Sequence, residues 1–120
     1  MPSKRPLTRM RDIVENARSI VDYTHGFDLQ TYGENKLVRD ATERCFARIS
    51  EAAVKIGPLA EELFPSHDWI AIRHLGNILR HDYHGVLNSS LWTIRTTSLP
   101  PLLTELETFL AGYPEDQETL

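Results

Sequence analysis

Apolar residues recur along this chain at intervals of three and four, and nowhere do they alternate over a length that would make a strand. That period gathers them on one stripe of a helix, so the hydrophobic surface has to be buried helix against helix. The first stripe reads Leu7, Met10, Ile13, Val14, Ala17, Ile20 and Val21, and Gly26 stops it. A second, from Leu37 and Val38 through Cys45 and Ile49 to Ile56, predicts a helix from about Leu29 to Ile56. Gly33 should fray or kink its first turn, and Gly57-Pro58 ends it. A short helix is expected over Leu59 to Leu63. Ser66 or Asp68 can cap the next long one, from Trp69 to Tyr83, which Gly85 closes. Asn88, Ser89 and Ser90 offer a cap for the last helical region. Pro100-Pro101 should kink that region into two segments, because each proline removes an amide donor and crowds the preceding turn. The expected product is all-α: one antiparallel bundle of four or five helices over residues 1–120, with a loose polar tail from Glu115 to Leu120.

At 120 residues the chain can bury a core without disulfides or a structural metal. Cys45 stands alone, so no intrachain disulfide is possible, and a reducing cytoplasmic compartment is the expectation. No apolar stretch follows Lys4-Arg5 that could act as a signal peptide, and none is long enough to span a membrane. A formal net charge of −4 argues against coating nucleic acid by bulk electrostatics. An RNA ligand would need a local basic patch.

The segment that carries chemistry is Trp69 to Gly85. At about 100° per residue, Arg73, Asn77, Arg80, His81 and His84 share roughly a 100° arc, with His74 beside it and Ile72, Leu75 and Leu79 opposite. Two guanidiniums, an amide and imidazoles suit phosphodiester chemistry. Histidine exchanges protons near neutral pH, so it can deprotonate a ribose 2′-hydroxyl or protonate a leaving oxygen. Arginine grips non-bridging phosphate oxygens in a bidentate fork. The plain alternative is a solvated polar face with histidines gathered near a helix end. A metal is not expected: His74 and His81 stand about 10 Å apart along the axis, and His81 with His84 lacks further ligands.

Asn77-Ile78-Leu79-Arg80-His81-Asp82-Tyr83, following Trp69 and preceding Gly85, resembles the signature helix of HepT-type HEPN proteins. Their motif is Arg, four residues, His, one residue, Tyr, with Asn usual after the Arg. His81, Tyr83 and Asn77 match it, and Gly76 stands where the motif has arginine. Asp12-Ile13 agrees as well, as does Ile49-Ser50-Glu51-Ala52, where relatives often have Ile-Gly-Glu-Ala. The likeness runs from about Met10 to Phe109. It implies a HEPN-type bundle, a homodimer whose two motif helices build one cleft, and a metal-independent ribonuclease toxin of a type VII toxin–antitoxin pair, without a cofactor. His81 would be its acid–base group. The partner would be an MNT-type nucleotidyltransferase antitoxin that adds AMP to Tyr83. With Gly76 in the motif position, Arg80 is expected to take the arginine's place across the dimer interface, supported by Asn77. Arg73 and His84 would contact RNA. The alternative is a non-catalytic HEPN subunit that binds a nucleotidyltransferase.

Overall fold

A computed structural model describes residues 3–81 and 86–120. Its helices are α1 (Pro6–Tyr23), α2 (Leu29–Glu34), α3 (Lys36–Ile56), α4 (Leu59–Leu63), α5 (Trp69–Arg80), α6 (Val86–Thr93) and α7 (Leu99–Leu110), with a π-helical turn at Ile94–Ser98 between the last two. There is no strand among the described residues.

Local signals set most of these boundaries. Pro6 opens α1, where its missing N–H costs nothing. Gly26 and Gly57 adopt positive φ, 80° and 71°, at the turns after α1 and α3, a conformation open to glycine at no steric cost. Asp28 and Thr31 cap α2 reciprocally: the Thr31 amide donates to the Asp28 carboxylate at 2.8 Å, and the Asp28 amide donates to the Thr31 hydroxyl at 2.9 Å. The expected single helix from Leu29 to Ile56 is therefore two. Asn35 is extended and spends its side chain on capping α3, accepting from the Val38 amide at 3.0 Å. Asp68, of the two candidates, caps α5, accepting from the Ala71 amide at 3.0 Å. The last helical region begins at Val86, so Asn88, Ser89 and Ser90 lie inside its first turns. Pro100 and Pro101 fall in the first turn of α7, and the wider π turn before them replaces the simple kink expected there.

Three antiparallel contacts build the bundle. The Ser3 amide reaches the Lys55 carbonyl, setting α1 against α3 in opposite senses. Ser50 of α3 meets Gly76 of α5, while Ala53 and Gly57 meet Arg73. Arg18 of α1 pairs with Glu107 of α7, and Arg11 donates to the Pro114 carbonyl at 2.8 Å. The core lies between them, with Met10, Ile13 and Ile20 against Phe46, Ile49 and Ala53, and with Trp69, Leu91, Leu99 and Leu106 closing the far side. Trp69 is buried with its indole N–H satisfied by the Phe64 carbonyl at 2.8 Å, which anchors the start of α5. His67, just before it, is hydrogen-bonded to Glu105 of α7 at 2.8 Å. The polar tail is tied to α1 through the Leu7 amide to the Glu118 carbonyl, 3.1 Å, and through Arg11 to the Gln117 carbonyl. No described helix is long and apolar enough to cross a membrane.

Candidate active site

α5 lies so close to α3 that one position between them has no room for a side chain. The Gly76 amide donates to the Ser50 hydroxyl oxygen at 2.9 Å, and that hydroxyl donates to the Arg73 carbonyl at 2.9 Å. A β-carbon on Gly76 would stand 2.8 Å from Ser50 Oγ and 3.2 Å from Ser50 Cβ. Turning the hydroxyl away would break both hydrogen bonds and would leave the Cβ contact in place. Position 76, where the motif calls for arginine, is thus a buried helix–helix contact sealed by Ser50.

An arginine nevertheless reaches this spot. Arg80, one turn on, folds back so that Nη1 lies 3.7 Å from where the Gly76 β-carbon would be. Its Nη2 donates to Asn77 Oδ1 at 3.4 Å. Asn77 and Arg80 are both exposed, as is His81, which ends α5 as its cap residue with its amide donating to the Ile78 carbonyl at 3.1 Å. Arg80, Asn77 and His81 therefore occupy one end of one helix.

Arg73 is placed differently. Its guanidinium donates to both carboxylate oxygens of Glu61, through Nη1 at 2.8 Å and through Nη2, and also to the carbonyls of Gly57 at 2.9 Å and Ala53 at 3.4 Å. The Glu61 carboxyl is held below the ordinary range by that hydrogen bond, and the Arg73 guanidinium is raised by it in turn. With its donors committed to α3, to the turn after it and to α4, this side chain is a strut. The sequence wheel groups it with His81, but Trp69, Leu75 and Gly76 are the buried residues of α5, and Arg73, one turn before Gly76, is turned toward α3. The outward face instead carries Ile70, His74, Asn77, Ile78 and His81. Tyr83 and His84 lie outside the described residues. Among the described residues no three His, Cys, Asp or Glu side chains are grouped as metal ligands.

Sequence reasoning missed Ser50 as the residue that closes position 76. It also missed Arg44 and Arg48, which line the groove across from Arg80. Their spacing of four on α3 was visible, yet nothing in the sequence said which flank of that helix would border α5.

Helix order and the Asn77–His81 spacing define an all-α bundle of the HEPN class. The chain belongs to the HepT-like ribonuclease family, whose profile matches residues 13–109. Among its relatives is a protein of Methanocaldococcus jannaschii named "Putative RNase MJ1380", 33% identical over 96 residues, covering 80% of this chain and 88% of that one. A second from the same organism, "Putative RNase MJ0127", is 25% identical over 118 residues, 98% of each chain. No solved structure matches the chain.

Proposed function

We propose that the protein is a metal-independent endoribonuclease toxin of a HEPN/MNT toxin–antitoxin pair, acting as a homodimer in the cytoplasm, with Arg80 serving as its phosphate-binding arginine. The observation that carries this reading is the guanidinium of Arg80 resting over Gly76, steadied by Asn77 and one residue from His81. In this reaction His81 takes the proton of a ribose 2′-hydroxyl, whose oxygen attacks the adjacent phosphorus. The bond to the 5′-oxygen breaks, and that oxygen leaves with a proton from the second copy of His81 across the dimer. The products are a 2′,3′-cyclic phosphate and a 5′-hydroxyl. Arg80 steadies the charge that builds on the non-bridging oxygens; loss of such a donor typically lowers turnover on the order of 100-fold or more. Tyr83, two residues past His81, is the acceptor for AMP from a nucleotidyltransferase antitoxin, an adduct that would exclude RNA by bulk and by charge. His84 is a further RNA contact.

The test is RNA cleavage in EDTA. Wild type should cut, His81→Ala should be inert with an unchanged circular dichroism spectrum, and Arg80→Ala should lose turnover far more than apparent affinity. A second reading is favoured by the sealed position 76: a HEPN subunit that binds its nucleotidyltransferase without cutting. Absence of cleavage by the wild type, with retained partner binding, would select it.

A further inference from the structure

We propose that the groove between α3 and α5 is a channel for the phosphate backbone of single-stranded RNA, with Arg44 and Arg48 of α3 as its contacts. The proposal rests on the reading of α5 given above and assigns the path by which the strand arrives at Arg80. The groove is open, about 760 Å³, and runs to the Arg80 end of α5. Its floor holds Ala47, Ser50 and Gly76, small residues that let a strand come down close to the helices. Were position 76 to carry the motif arginine, that floor would be filled.

The charges favour an anion. Arg44 and Arg48 are exposed and one helical turn apart, about 6 Å along the axis, comparable to successive phosphates of an extended strand. Among the described residues no carboxylate lies within ion-pair distance of either. Two of the groove's three acids are already matched by lysines, Asp40 by Lys36 at 2.6 Å and Glu51 by Lys55 at 3.1 Å. Arg80 faces the α3 arginines from the opposite bank, and the groove's arginines, Arg44, Arg48, Arg73 and Arg80, outnumber its acids, Asp40, Glu43 and Glu51. This is a local basic patch on a chain of net charge −4. An acidic peptide could meet the same arginines. Continuity with Arg80, the residue next to His81, is what favours RNA.

The experiment measures fluorescence anisotropy of a 2′-O-methyl oligoribonucleotide, which lacks the attacking hydroxyl and cannot be cut. It compares wild type, Arg44→Ala, Arg48→Ala, the double variant and Arg18→Gln as a charge control on the far side. Each single alanine should weaken binding several-fold and lower the slope of log affinity against log salt by about 0.7, and the double should weaken it more than tenfold. Arg18→Gln should stay near wild type. An Arg44→Lys/Arg48→Lys protein should retain most affinity, which separates lost charge from lost folding. The proposal falls if wild type does not bind, or if the double alanine variant binds no worse than Arg18→Gln. Binding through these arginines without cleavage of ordinary RNA would sink the ribonuclease reading and leave the channel standing. Cleavage with unaltered binding by the double variant would do the reverse.

Discussion

Two opposed effects meet at Gly76. Alanine in a helix interior is about 1 kcal/mol better than glycine, but here its β-carbon would press on Ser50 at 2.8 and 3.2 Å. Overpacking of a tight contact typically costs about 1–3 kcal/mol, and Ser50 cannot yield without surrendering its bonds to the Gly76 amide and the Arg73 carbonyl. The steric term wins, so Gly76→Ala should lower the urea midpoint although the same change stabilises most helices. Restoring the motif arginine by Gly76→Arg should be worse still. Combining it with Ser50→Gly, which removes the side chain that position 76 meets, should recover part of the loss and give a coupling on the order of 1 kcal/mol in a double-mutant cycle. Strict additivity would mean the two positions do not interfere.

At the scale of elements, apolar spacing made α1, α3 and α5 legible because each buries a single stripe: Met10, Ile13 and Ile20; Phe46, Ile49 and Ala53; Trp69 and Leu75. It could not show the break at Asn35, since a side chain that caps a helix and one that merely faces solvent look alike in sequence. Nor could it fix the rotation of α5, because Gly76 has no side chain to register as hydrophobic even though it is buried. His81 and Asn77 stood out as candidates by their spacing, whereas a wide polar arc could not show that Arg73 bonds to Glu61 and to the end of α3. Its place at the junction of α3, α4 and α5 makes a prediction of its own. Arg73→Ala removes donors to Glu61, Gly57 and Ala53 together and should lower the melting temperature more than Glu61→Gln, which removes only the charge and one acceptor oxygen of Glu61. The pH dependence has a definite sign. Glu61 has its carboxyl lowered in the folded state, so its contribution is present above the ordinary carboxylate pKa and fades as pH falls through the lowered one. The melting-temperature gap between wild type and Glu61→Gln should therefore close in acid. A gap that persists at low pH would assign it to packing.

At the scale of the whole molecule, the outward face of α5 offers a surface for the homodimer proposed above. Ile70 is 65% exposed and Ile78 41% exposed, about 12 Å apart along the helix, and His74, Asn77 and His81 share their face. Large aliphatic side chains left in water beside titratable ones make poor solvent surface and a good isologous contact. A two-fold axis near Asn77 would set Ile70 of each copy against the far end of the other and would bring both His81 side chains to one cleft. Burying an isoleucine side chain is worth about 1.5–3 kcal/mol, and symmetry counts each residue twice. Ile70→Asp should therefore weaken dimerisation by on the order of 100-fold or more, while the monomer keeps its helical spectrum because this side chain contributes little to the core. Light scattering across a concentration series would read the equilibrium. RNA cleavage should fall in step with the dimer fraction although His81, Arg80 and Asn77 are untouched. An Ile70→Asp protein that remained dimeric would place the interface elsewhere, and a monomer that cut RNA at the wild-type rate would show that a single α5 holds the whole site.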